Sequence, residues 1–193
     1  MRPSSLTDLQ SQSPPAVPGV GEPQAWSTAV TEAAWFAVWT RSRHEARVLT
    51  QLEGKGIEAF LPTITRWSRW KDRKKRVDWP LFPGYCFARI DPADSLPVLK
   101  CAGVVRLVSF GGRPVAIPDS QVEGVRTLVG SELKYDPCPL ISEGDDVLVV
   151  SGPLRGVRGR LLRKGAHARL VLNVDLIGQG VSVEVDAADI RPA

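Results

Sequence analysis

Histidine and cysteine are scarce in this 193-residue chain, which holds His44 and His167 and three cysteines, Cys86, Cys101 and Cys138. The cysteines are odd in number and far apart, with no C-x-x-C pair. That spacing argues against a zinc site and a disulfide framework and predicts small buried thiols. No apolar run approaches the ~20 residues of a membrane span. The first thirty-odd residues also lack the apolar core of a signal peptide, so a cytoplasmic protein without membrane contact is expected.

Recognisable catalytic motifs are lacking as well. SGPLRGVRG, residues 151–159, departs from G-x-x-x-x-G-K-[ST] and precedes no helical pattern, so its glycines read as turn residues. No serine or cysteine stands with a histidine in a nucleophile motif, and the carboxylates are scattered among basic residues. The chain is therefore read as a non-enzyme, with no catalytic, cofactor-binding or metal-binding residues and no cofactor.

The composition is that of a globular protein, 43% hydrophobic and 24% charged, and the length allows one medium domain or two small ones. The formal charge of +4 is unevenly placed. Residues 35–130 carry 16 Lys/Arg against 9 Asp/Glu, whereas residues 143–193 carry 7 of each. Nucleic-acid contact is thus expected in the middle of the chain.

Residues 1–34, rich in Ser, Pro, Gly and Gln, read as a disordered tail. WFAVWT, residues 35–40, reads as a strand. Ser42 and Glu45 have capping-box spacing ahead of a helix with Val48, Leu49 and Leu52 on one face, ended by Gly54 and Gly56. IEAFLPTI, the basic arm, LFPGYCFARI and VVRLVSF give two further strands around a hairpin and then a fourth strand. A short helix from Asp94-Ser95 to Cys101 precedes that last strand, and a final helix is capped by Asp119. The order βαββαβα predicts an α+β domain, an antiparallel sheet with packed helices, over 35–130. A Pro-containing linker is expected at 131–142. Over 143–193, short Val-rich strands separated by Gly-rich turns predict a small closed β-barrel.

The sharpest local feature is the arm. From Arg66 to Asp78 there are seven Lys/Arg and two Asp, interleaved with Trp67 and Trp70. Cations neutralise phosphates and indoles stack on bases, which favours nucleic acid. A solvated hairpin tip whose tryptophans pack on the sheet accounts for the same residues.

WFAVWTRSRHEARVLTQLEGKGIEAFLP, WPLFPGYCFARID and AGVVRLVSFGGRPVAIPD closely resemble the N-terminal domain of NusG-type transcription factors. VVSGPLRGVRGRLL with RLVLNVDLIGQGVSVEVDAADI resembles the KOW domain that follows it, an SH3-like barrel. The PLFP form, WKDRKK and GVVRLVSFGG are more similar to the specialised RfaH and UpxY antiterminators than to housekeeping NusG. The resemblance implies a monomeric antitermination factor on selected operons, those for surface polysaccharide by likeness to UpxY.

It also implies roles. Trp39, Phe82, Pro83, Tyr85 and Phe87 would form an apolar docking surface for RNA polymerase, with Pro83-Gly84 interrupting a central strand and Cys86 pointing inward. Asp94, Ser95 and Leu96 match the segment that touches the opposing polymerase jaw, where RfaH carries a different sequence. Arg41, Arg43, His44 and Arg47 would contact the non-template DNA strand, since arginine both pairs with phosphate and stacks on a base. Leu154, Val157, Leu176, Ile177 and Gln179 match the KOW contact to the small-subunit ribosomal protein NusE. Aliphatics in place of the aromatics that housekeeping NusG carries there weigh against Rho. The uncharged balance of this domain weighs against a ribosomal or RNA-binding KOW protein. RfaH's KOW segment can fold as a helical hairpin. Here the β-branched residues and glycines predict instead a constitutive barrel on a flexible tether.

Overall fold

A computed structural model describes residues 32–70, 73–139, 144–164 and 167–193. The tail expected at 1–34 lies almost wholly outside them. The first strand, β1 (Ala34–Thr40), is buried on both faces. Strand alternation sends Trp35 and Ala37 to one side and Phe36 and Val38 to the other, which is why WFAVW reads as a continuous apolar run.

Helix α1 (Glu45–Glu53) follows, then β2 (Glu58–Phe60), the hairpin strands β3 (Thr63–Trp70) and β4 (Arg73–Pro80), and β5 (Tyr85–Ile90). After β5 come the short helix α2 (Leu96–Leu99), β6 (Val104–Leu107), the small hairpin β7 (Ser109–Phe110) and β8 (Arg113–Pro114), β9 (Ala116–Ile117) and α3 (Asp119–Val129). The sheet runs β2-β5-β1-β6, with β9 also paired to β1, and its pairs are antiparallel. Val48, Leu52, Val98 and Cys101 cover one face, packing on Phe36, Val38, Cys86 and Ala88. On the other face, Val122, Val125 and Leu128 of α3 join Trp35, Ala37 and Phe87.

Three local expectations change. Helix α1 is capped at His44 without a side-chain bond, and Glu45 bonds elsewhere, so Ser42 and Glu45 form no capping box. Pro118, not Asp119, precedes α3. Pro83-Gly84 lies in the turn before β5 rather than inside a strand, with Gly84 at φ +85, a conformation glycine adopts without a Cβ clash.

The second domain is a six-stranded sheet in the order β10-β14-β13-β12-β11-β15. Its members are β10 (Tyr135–Pro139), β11 (Asp145–Val149), β12 (Arg158–Lys164), β13 (His167–Val174), β14 (Gln179–Val185) and β15 (Ile190–Pro192). Val147, Val149, Val171, Val174, Val181 and Val183 are buried within it, as β-branched residues on a packed pleated surface should be. Among the described residues, no pairing of β10 with β15 closes the sheet.

The expected linker is not a free tether. Residues 135–139 are themselves a strand, held in register along β14 from Tyr135↔Val183 to Pro139↔Gln179. One apolar core runs from the first sheet through α3 into the second domain, joining Trp35, Phe87 and Val125 to Val157, Leu172 and Ile177. Apolar faces left exposed on a short connection gain more by covering each other than by remaining hydrated.

Candidate functional site

The sequence-predicted residues converge at the end of β1. Trp39 stands opposite Tyr85 on β5 and opposite Arg106 on β6, whose guanidinium lies 5.1 Å from the Trp39 ring centroid, a cation–π contact. The Thr40 amide donates to the Gly84 carbonyl at 2.8 Å, and the Gly84 amide donates to the Glu45 carboxylate at 2.8 Å. The Pro83-Gly84 turn is therefore tied to both β1 and α1. Glu45 is buried, and its position 39 residues from Gly84 explains why no local pattern disclosed this bond.

Only part of the expected aromatic surface is accessible. Phe82 is 0% and Phe87 2% exposed; they meet edge-to-face at 6.0 Å, and Phe87 stacks on Phe60 at 6.2 Å. These two side chains are buried in the core. Tyr85, at 9%, is at the margin, and burial raises its hydroxyl pKa against a lowering by Arg106. The outer surface is made by Trp39, half-buried, and Pro83, exposed. Cys86 points inward, its thiol pushed up to about 12 by burial first and by the charges of Glu45 and Cys101 second.

The basic residues adjoin this surface. Arg41, Arg43 and Arg47 are exposed, and their guanidinium groups make no ion pair among the described residues. The Arg41 amide donates to the Gly103 carbonyl at 2.8 Å. Gly103, at φ +109, lets the backbone pass His44: a Cβ there would meet His44 Cβ at 2.8 Å. His44 is half-buried, its Nδ1 3.0 Å from the Ser42 carbonyl oxygen, where a ring N–H donates. Arg43 has φ +63, the left-handed region that L-residues other than glycine rarely occupy. Its side chain is held out from the domain at a conformational cost.

Asp94, Ser95 and Leu96 are not part of this cluster. They follow Ile90, at the end of β5 opposite to Tyr85, and six strand residues put about 17 Å between those ends. Asp94 closes a short 3-10 turn capped by Asp91, Ser95 precedes α2 without a side-chain cap, and Leu96 is 62% exposed.

In the second domain Leu154, Val157 and Ile177 are buried, and Leu176 and Gln179 half-buried. Helix α3 contributes to that burial. Its Gly124, buried in mid-helix, leaves a notch: a Cβ there would lie 3.4 Å from a Val157 methyl and 3.9 Å from Leu172. One turn earlier, Gln121 exchanges two hydrogen bonds with Asp175. Tyr135 Oη donates to the Thr63 carbonyl at 2.9 Å, and burial raises its pKa. The residues that sequence reasoning missed, Arg106, Gln121, Gly124 and Asp175, carry no local signature, because each acts on a partner remote in sequence, and Glu45, read from its spacing as half of a capping box, instead bonds the remote Gly84 amide.

The arm is a separate two-stranded ribbon, β3 with β4, in unbroken register from Thr63↔Pro80 to Trp70↔Arg73. Its tip, 71–72, lies outside the described residues. At its base Arg66, Arg76, Asp78 and Trp79 are exposed, and Thr65 Oγ1 donates to Asp78 Oδ1 at 2.6 Å.

The family model described as "NusG: Transcription termination factor nusG" matches residues 33–126. The chain is similar to the transcription termination/antitermination protein NusG of Thermus thermophilus, 28% identical over 181 residues, covering 82% of this chain and 98% of that one. The protein of the same name from Borreliella burgdorferi is 26% identical over 181 residues, covering 82% and 97%. A solved structure described as "Domain interaction in Thermotoga maritima NusG" aligns over 83% of this chain and 97% of its own, with 24% identity and a TM-score of 0.48.

Proposed function

We propose that the chain is a transcription factor of the NusG type, supported by its likeness to that family, and that within it the chain is a specialised antiterminator. In this reading it binds RNA polymerase through Trp39 and Pro83, with Tyr85 behind them, and suppresses pausing and termination on selected operons, among them those for surface polysaccharide. Arg41, Arg43, His44 and Arg47 hold the non-template DNA strand. Asp94, Ser95 and Leu96 face the opposing jaw from the far end of β5. The second domain is a KOW module whose Leu154, Val157, Leu176, Ile177 and Gln179 face NusE, with Rho disfavoured by their aliphatic character.

One observation supports this reading above the others: the apolar surface and the cationic cluster are joined through backbone hydrogen bonds at Thr40–Gly84 and Arg41–Gly103. A protein surface and a strand of phosphates that lie side by side are then engaged by one rigid unit. Binding of that kind biases a conformational equilibrium of the partner and needs no catalysis.

The test is titration against purified polymerase and its transcribing complex. Trp39→Ala should weaken binding by about 2 kcal/mol, the scale of an aromatic hot spot. Arg41→Ala with Arg47→Ala should leave binding to free polymerase intact and reduce antitermination. Unchanged affinity in Trp39→Ala removes the docking surface from the proposal; unchanged antitermination in the double variant removes the DNA contact.

A further inference from the structure

A cation stands on the apolar surface at the end of β1. Trp39 is paired with Tyr85 on one side and with Arg106 on the other, and directly paired residues share a face of a sheet. Arg106 is exposed, and its guanidinium lies 5.1 Å from the Trp39 ring centroid. The indole in turn rests on the Pro83-Gly84 turn, where a Cβ at Gly84 would lie 3.8 Å from Trp39 Cδ1 and Nε1. Among the described residues Arg106 makes no ion pair. Its charge is felt at Tyr85, whose hydroxyl pKa is raised by burial and lowered by Arg106.

Stacking occupies the flat face of a guanidinium and leaves the donors around its edge free. The side chain is also held in place by the ring, so less freedom is lost when those donors find an acceptor. A protein that covers Trp39 withdraws Arg106 from water as well, because the two groups are in contact. Burying an unpaired cation costs more than one apolar side chain returns. A wholly apolar partner would therefore be repelled from this face. One with an acceptor of opposite charge at the guanidinium edge would be held.

On the premise, taken from the proposed function, that this face docks on RNA polymerase, we propose that Trp39 and Arg106 form one recognition site for a carboxylate on the partner protein. An acidic side chain of the partner takes the guanidinium edge in two parallel hydrogen bonds, and its apolar neighbours cover the indole. Arg106 is then the specificity determinant of the docking surface. A partner with a cation or an apolar group at that point is rejected, since the guanidinium would be buried without a counter-charge.

The experiment titrates the full chain against purified free polymerase and, in parallel, against single-stranded DNA. Arg106→Met keeps an unbranched side chain to cover the ring but removes the charge. It should bind polymerase about 30-fold more weakly, the low end for truncating one member of a covered charge pair. Arg106→Glu sets like charges together and should lose at least about a further tenfold. Arg106→Lys keeps the charge without the fork and should fall between wild type and Arg106→Met. Arg106 is exposed, so unfolding midpoints should change little in all three. Wild-type affinity in Arg106→Met, with loss in Trp39→Ala, would overturn the carboxylate and leave the docking surface standing. Wild-type affinity in both would overturn the docking surface and the carboxylate together. Weakened binding of Arg106→Met to single-stranded DNA alone would assign the guanidinium to phosphate and overturn the carboxylate as well.

Discussion

Gln121 and Asp175, 54 residues apart and in different domains, hold each other by two hydrogen bonds: Gln121 Nε2 donates to Asp175 Oδ2 at 2.7 Å, and the Asp175 amide donates to Gln121 Oε1 at 3.2 Å. With the Gly124 notch they make α3 the common wall of both domains. Both domains should then tumble as one body. Gly124→Glu, which places a charge against Val157 and Leu172, should separate them while each stays folded; Gln121→Ala should weaken the contact by roughly 1–3 kcal/mol, two ordinary hydrogen bonds. NMR relaxation reads this directly as one rotational correlation time in the wild type and two in Gly124→Glu. Independent tumbling in the wild type would refute the shared core.

Glu45 satisfies the Gly84 amide that no strand reaches. Glu45→Ala strands a part-buried donor, so a loss of about 1–3 kcal/mol is expected in denaturant unfolding. Glu45→Gln keeps an acceptor oxygen and should recover most of it. Equal losses in the two variants would show that the charge, not the hydrogen bond, matters.

Cys86 makes a prediction about alkaline stability. Its pKa is raised from 9.0 to about 12 by burial, so above pH 9 the unfolded chain releases this proton while the folded chain keeps it. Stability is therefore intact below pH 9 and falls as pH rises toward 12, by up to about 1.4 kcal/mol per pH unit for one group. Tyr85 and Tyr135, also raised from 10.0, act in the same direction. Cys86→Ala should flatten the decline relative to wild type in parallel urea titrations at pH 8 and 10.5. Parallel declines would mean that the thiol ionises freely.

Arg43 occupies φ +63 and is exposed. Arg43→Gly removes a left-handed penalty of about 1–2 kcal/mol and adds about 0.4–1 kcal/mol of unfolded-state entropy. Melting should show a variant as stable as wild type or up to about 1.6 kcal/mol more so, with weaker binding to single-stranded DNA. A marked loss of stability would mean that the Arg43 side chain holds the loop.

Much of this protein was legible in its residues alone. Val48 and Leu52 mark the buried side of α1, WFAVW marks a strand covered on both faces, and alternating valines mark β14, because each pattern depends on neighbours within a few positions. The basic ribbon was equally plain, since charge and turn position are local. What the tertiary structure alone decided is which surfaces face each other. Aromatics in LFPGYCF could line a surface or fill a core. Pairing of β1 with β5 and packing of α3 put Phe82 and Phe87 inside, leaving Trp39 and Pro83 outside. Glu45 reads as half of a capping box until Gly84 arrives from 39 residues away. The segment at 135–139 reads as a linker because prolines break the pattern, yet an edge strand tolerates proline, and β14 supplies the partner. Local sequence sets the period and charge of each element. Long-range burial selects the partner, since an apolar face gains the same free energy from any surface that excludes water from it.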